Sequence, residues 1–244
     1  MAVILLVGHP NLQARPATAQ ESSKESSYFP LAPGTTWVYR GTVTWFNAEK
    51  EQDVSSEVTL TTKVERVIHK SGITFALLSG FPADLDWSGG EVEPKPFLLV
   101  ETDRHEVFLD PVPPDFDYAK LEKDSTAISP FLADDNLFFR WPLKKGMKFG
   151  DPEQLKREDD EYCWVVSEHS SKELLGIEGL TPRRAEVSVL RFVTNPDDTT
   201  IELVSGVGIL RYEYHHHGST ADTSVHLVEF HPAPIAAAAP GAAR

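Results

Sequence analysis

A single cysteine, Cys163, stands in a chain of 244 residues. No intramolecular disulfide can form, and no cysteine-rich zinc site can be built. Its neighbours, Tyr-Cys-Trp-Val-Val, are those of an apolar strand, so the thiol is expected to be buried and inert. Positive charge is also short: 23 Lys and Arg stand against 37 Asp and Glu, a net charge of -14. Such a surface repels a phosphate backbone and anionic lipid and favours solubility, which argues against nucleic acid as a partner. No apolar run approaches the ~20 residues that a membrane-spanning helix requires, so no transmembrane helix is expected. The motifs of nucleotide and acyl-transfer chemistry are missing too. There is no Gly-x-Gly-x-x-Gly fingerprint, no phosphate-binding loop and no Gly-x-Ser-x-Gly elbow, and no cofactor is expected.

Helix signals are scarce. DPEQLKREDDEY, with Asp151 as a cap and Pro152 at the first helical position, could make a turn or two, and FDYAKLEKD over Phe116 to Asp124 is a second short candidate. What fills the chain instead is period-two alternation. In WVYRGTVTW, Trp37, Tyr39, Val43 and Trp45 share one face and Arg40, Thr42 and Thr44 the other. In EVTLTTKVERVI, Val58, Leu60, Val64 and Ile68 face away from Glu57, Thr59, Thr61, Lys63 and Glu65, and Ser71-Gly72 then turns the chain into ITFALLSGF. Further strands are read in FLLVET, EVFLD, YCWVVSEH, AEVSVLRFV, IELVS, GILRYEYHHH and VHLVEF, with turns at Asn195 to Asp198 and Gly218 to Asp222. Short strands joined by short turns predict an all-β fold with minor helix: an antiparallel meander forming a strongly curved sheet, an open barrel or a sandwich.

The ends read differently. MAVILLVG followed by Ala17-Thr18-Ala19 has the apolar stretch and small-x-small pattern of a secretory signal over residues 1–19, although no Lys or Arg precedes it and a start codon further upstream would lengthen it. Residues 20–27, QESSKESS, read as a polar linker, residues 28–231 as a single β-rich domain, and residues 232–244 as a flexible Ala/Pro tail. Export to the periplasm or the exterior is the resulting expectation. No cysteine follows the apolar run, which puts lipid attachment there in doubt.

One phrase occurs twice. FPLAPGTTW, Phe29 to Trp37, returns as WPLKKGMKF, Trp141 to Phe149, with its aromatics, Pro-Leu and Gly at identical spacing. Proline suits the start of a strand, glycine a tight turn or bulge, and the aromatics can hold the chain to the core. The phrase predicts strand entrances, with Leu31, Trp37, Leu143 and Phe149 at least partly buried. It also raises two related halves, beginning near residues 28 and 137. YFPLAPGTTWVY, WPLKKGMKF and SGVGILRYEY, taken in order, resemble the phrases of a TapB-like family of bacterial exported and lipoprotein-type β domains, over most of residues 28–231. The resemblance implies a β-rich envelope domain and carries over no catalytic residue.

Two polar clusters invite chemistry. On a strand through YEYHHHGS, His215 and His217 share a face, and His226 on the next strand could supply a third imidazole to a metal ion. ADLDWSGGEVEP places Asp84, Asp86, Ser88 and Gly89 as in the first half of a calcium loop, but the position of the bidentate Glu is Lys95. The acidic runs at Asp134-Asp135 and Glu158 to Glu161 read as solvated surface. The expected role is a non-catalytic envelope protein that binds a protein partner or an apolar ligand in a β concavity. A metal-binding protein or hydrolase using the His215–His226 hairpin is the alternative.

Overall fold

The computed structural model describes residues 27–113 and 116–234. The apolar leader, residues 20–26 of the linker, and the tail from residue 235 lie outside the described residues. Twelve strands follow in chain order: β1 (Thr36–Asn47), β2 (Gln52–Lys70), β3 (Ile73–Ser79), β4 (Pro96–Thr102), β5 (Glu106–Pro111), β6 (Leu137–Arg140), β7 (Lys148–Phe149), β8 (Trp164–Leu174), β9 (Arg183–Val193), β10 (Asp197–Val204), β11 (Gly208–His216) and β12 (Ala221–His231). They form one sheet in the order β6-β5-β4-β3-β2-β1-β12-β11-β10-β9-β8-β7, every pair antiparallel. Each half of the chain is a meander, and β1 and β12 join them. The edge strands β6 and β7 are consecutive in the chain, so the sheet curls into a nearly closed barrel. Across that gap the rings of Phe138 and Trp164 meet at 5.0 Å.

The curl has local causes. Gly41 lies midway along β1, where an added Cβ would sit 1.9 Å from the Ser224 carbonyl oxygen and 2.8 Å from Val225 Cα of β12. Only a residue without a side chain lets the two backbones approach so closely. Bulges between Val38 and Tyr39, Val64 and Arg66, and Val166 and Glu168 add twist where the sheet must turn. The alternation read in the sequence holds on β1: Trp37, Tyr39 and Val43 are buried, while Arg40 is exposed. It fails on β4, where Phe97, Leu98, Leu99 and Val100 are all buried. The reason is a second layer. The short helix α1 (Tyr118–Lys123) lays Tyr118 and Leu121 over Ile68, Phe75, Leu77 and Leu98 on the outer face, so both faces of β4 are covered. The other expected helix is only a 3-10 turn over Gln154–Lys156.

The repeated phrases stand at strand entrances and make the same bonds. Gly34 and Gly146 have φ of 89° and 86°, and their N–H groups donate to Val64 O and Val166 O, each at 2.8 Å. Thr35 O accepts from Val64 N and Met147 O accepts from Val166 N, both at 2.9 Å. Each contact sits beside the bulge of the facing strand, at Val64 in one case and Val166 in the other. Trp37, Leu143 and Phe149 are buried, and Leu31 packs partly against the core. Leu137 does not begin a second set of strands as the phrase implied; it opens β6, which pairs with β5 and ends the first meander. We propose on these bonds that the domain comprises two related halves, β1–β6 and β7–β12.

One end of the barrel is closed by the entry segment itself. Phe29 stacks on Phe139 with ring centroids 6.4 Å apart and meets Trp37 edge-on, and the Trp37 indole N–H donates to Val207 O at 2.5 Å. Leu60, Leu85, Leu190, Ile201 and Leu203 are fully buried within the core. The concavity expected for an apolar ligand is therefore occupied by the protein's own side chains. Grooves of about 460 Å³ beside Lys145, Asp160 and Arg191, and about 600 Å³ beside Arg40, Glu57 and His226, are open and partly polar.

Candidate functional site

The opposite end is crossed by residues 80–95, which join β3 to β4. The two ends of this segment meet: Gly80 N donates to Lys95 O at 2.8 Å, and the Asp84 carboxylate accepts from Phe81 N at 3.1 Å and Lys95 N at 3.0 Å. A compact loop of this length with joined ends is an Ω-loop, a class that is frequently functional, and its first part, Pro82–Leu85, is a 3-10 turn. Phe81 and Leu85 anchor it in the core. The spacing that resembled half a calcium loop thus serves a different end. Asp84 ties the neck by accepting two backbone N–H groups, one of them from the lysine that replaced the expected glutamate.

Beyond the neck, the loop tip meets the inner face of β11. Alternate residues of that strand, Tyr212, Tyr214 and His216, form a ladder because side chains two apart share a face. Tyr212 donates its hydroxyl to Asp86 Oδ2 in a short bond. Trp87 donates its indole N–H to the Tyr214 hydroxyl at 2.7 Å, and Tyr214 donates to Asp197 Oδ1 at 2.6 Å. His216 Nδ1 lies 2.8 Å from the same oxygen. An ionised carboxylate only accepts, so Nδ1 carries the proton.

Burial in this network separates the two carboxyls. Desolvation pushes Asp86 up to about 7; the Tyr212 hydrogen bond and the nearby Thr223 hydroxyl pull it down, and the charges of Asp197 and Asp84 push it further up. Asp197 is also partly desolvated, but hydrogen bonds from Tyr214, His216 and Thr194 bring it below the ordinary carboxylate value. Desolvation and the adjacent carboxylates raise both phenols, so Tyr212 and Tyr214 stay protonated and act as donors.

Trp87 is the exposed member. It is 58% accessible, yet its indole is hydrogen-bonded and packs edge-on to Tyr214 at 6.4 Å and to His216 at 4.6 Å. Its backbone φ is 60°, a left-handed conformation that is an outlier for a bulky residue. Gly89 and Gly90 follow, also at positive φ, and the Trp45 ring closes on Gly90, where an added Cβ would lie 2.9 Å from it.

The histidines singled out for a metal ion are not brought together. His215 and His217 do meet edge-on, rings perpendicular at 4.6 Å, and His215 Nδ1 makes a short contact with Asp222 Oδ1. His226 stands elsewhere. Register places it beside Arg40 on one side and Arg211 on the other, whereas His215 is opposite Asp222. The guanidiniums of those two arginines are paired with Glu229 and Glu213. Among the described residues, no group of three His, Cys, Asp or Glu side chains is arranged to hold a metal. Cys163 is buried and its thiol is pushed up chiefly by desolvation, in keeping with the inert role expected.

No protein-family profile and no curated protein matches the chain. Two solved structures are similar to it. One is described as a candidate exported protein with a YmcC-like fold from Bacteroides fragilis, at 10% identity and a TM-score of 0.40, over 84% of this chain and 99% of that one. The other is described as a candidate lipoprotein from Parabacteroides distasonis, at 12% identity and a TM-score of 0.41, over the same shares of each chain. Similarity at this level assigns neither family nor function. No helix among the described residues is long and apolar enough to cross a membrane.

Proposed function

We propose that the chain is an exported, non-catalytic binding module, and that it engages a protein partner through the rim around Trp87. The state of Trp87 carries this reading. A left-handed backbone at such a residue costs about 1–3 kcal/mol and persists only where surrounding contacts impose it. Here those contacts, from Tyr214 and His216, hold an aromatic ring that remains more than half exposed. A ring already fixed in place loses little entropy when a partner covers it, and tryptophan is prominent among residues that dominate interfaces. Export is supported by the apolar leader and its small-x-small pattern at Ala17 to Ala19. The packed core favours a protein partner over an apolar ligand held inside the barrel.

A photo-crosslinking amino acid at Ser88, beside Trp87, tests this in cells that express the chain. A discrete cross-linked partner is expected, lost on Trp87→Ala and absent when the crosslinker sits at exposed Leu175. Retention of the same product in the Trp87→Ala background would overturn the reading.

A further inference from the structure

The Ω-loop is attached in two places of different chemistry. Its neck is held by the Gly80–Lys95 backbone bond and by the two N–H groups on Asp84. Its tip is held by Asp86 on Tyr212, by Trp87 on Tyr214, and by Gly90 against Trp45. The tip attachment at Asp86 is the vulnerable one. Oδ2 accepts from Tyr212, while Oδ1 is buried without a well-formed hydrogen bond among the described residues, although the Thr223 hydroxyl also bears on this carboxyl. The groups that face this carboxyl are the phenols of Tyr212 and Tyr214 from β11, the hydroxyl of Thr223 from β12, and the carboxylates of Asp197 from β10 and Asp84 from the loop itself. His216 is engaged with Asp197 and with the Trp87 ring. A negative charge on Asp86 would therefore sit near two other carboxylates, with one oxygen shut off from water and without a well-formed hydrogen bond.

We propose that the Asp86–Tyr212 contact is a proton-controlled latch: protonated, it seats the tip of the Ω-loop on β11; ionised, it favours release of the tip, so that the presentation of Trp87 varies with pH. This deepens the binding reading and rests on it for its purpose, although the latch chemistry stands on the loop alone. Seated, Asp86 holds its proton up to about 7; released into water, it returns to the ordinary value of 3.8. A group raised in the closed state favours closure most at low pH. Closure then weakens roughly tenfold per pH unit between those two values and changes no further above the upper one.

Hydrogen–deuterium exchange of the folded chain at pH 5 and pH 8, corrected for the intrinsic pH dependence of exchange, reads this directly. The tip amides of residues 86–91 should open about a hundredfold more readily at pH 8 than at pH 5, while the strands β4 and β10 keep their protection. Asp86→Asn, which cannot ionise, should abolish that difference. Tyr212→Phe removes a bond that favours the ionised form, so it should keep the pH dependence and move its midpoint upward. Equal tip protection at both pH values in the parent would overturn the latch. So would a pH dependence that survives in Asp86→Asn, which would assign the effect to His216 or Asp84. Neither outcome bears on the cross-link at Ser88, so latch and binding can fail separately.

Discussion

Trp37 joins the entry phrase to the far end of the chain, and its truncation tests whether that phrase is structural. The side chain is 2% exposed, its ring lies 6.0 Å from Phe230 and 6.4 Å from Phe29, and its indole N–H donates to Val207 O across 170 positions of sequence. Trp37→Ala removes the ring from a site bounded by β1, β12 and the Gly206–Gly208 turn. A void of that kind costs about 3–5 kcal/mol. Trp37→Phe retains most of the apolar surface but leaves the Val207 carbonyl without its donor, at a cost of about 1–3 kcal/mol. Domains of this size are stable by about 5–15 kcal/mol, so the alanine variant should lose a large part of the total and the phenylalanine variant visibly less. In thermal unfolding, 1 kcal/mol moves the midpoint by roughly 2–4 °C for a chain of this length, so the alanine variant should melt about 6–20 °C early. Urea unfolding of the three proteins by circular dichroism, with the slope checked for constancy, supplies the free energies. An alanine variant that unfolds with its parent, or one no worse than phenylalanine, would refute both the packing and the hydrogen-bond argument.

The Asp86 carboxyl makes a separate prediction about stability. Its raised value means that its contribution is fully present below about pH 4 and is lost as pH rises toward 7, so Asp86→Asn should gain on the parent across that window, by at most about 4 kcal/mol at pH 8. Urea midpoints of both proteins measured from pH 4 to 8 would show a constant offset if this is wrong. Gly34→Ala and Gly146→Ala should each cost about 1–2 kcal/mol, and nearly alike, because both sites have the same left-handed φ and neither Cβ would meet an atom closer than 3.8 Å. Strongly unequal losses in paired melts would count against two related halves. Gly41→Ala should be much worse than either, since its Cβ would enter the β12 backbone; a soluble variant with the parent's melting temperature would contradict the account of barrel curvature.

Much of the architecture was legible because it is local. The alternation in Trp37, Tyr39 and Val43 assigns a strand and its buried face, since a pleated backbone sends successive side chains to opposite sides. The Ser71-Gly72 turn follows from conformational preference alone, and both residues adopt positive φ. The repeated Pro-Leu-x-x-Gly phrase announced strand entrances for the same reason. Where a second layer intervenes, the pattern misleads: the unbroken apolar run of β4 is explained by α1, more than fifteen residues away in sequence.

The candidate site was legible only in fragments. Asp84, Asp86 and the YEYHHH run of β11 were visible, but the first pair looked like part of a calcium loop, and in the second it was His215 and His217, on the other face from Tyr212, Tyr214 and His216, that invited a metal. Tyr212 donates to Asp86 across 126 positions and Trp87 to Tyr214 across 127. No periodicity or spacing encodes such a pairing, because it depends on how far β11 lies around the barrel from the β3–β4 connection. The same holds for His226, whose neighbours Arg40 and Arg211 come from strands 186 and 15 residues away and are chosen by register. The sequence alone determined most of the strands and turns, and the faces wherever no bulge or second layer intervened, since these follow from one residue's effect on its neighbours; beyond the Val64–Arg66 bulge Ile68 changes face. Only the closed sheet decided which carboxyl is desolvated, which histidine stands apart from the others and which tryptophan is held in the open, because burial and contacts depend on what the rest of the chain brings alongside.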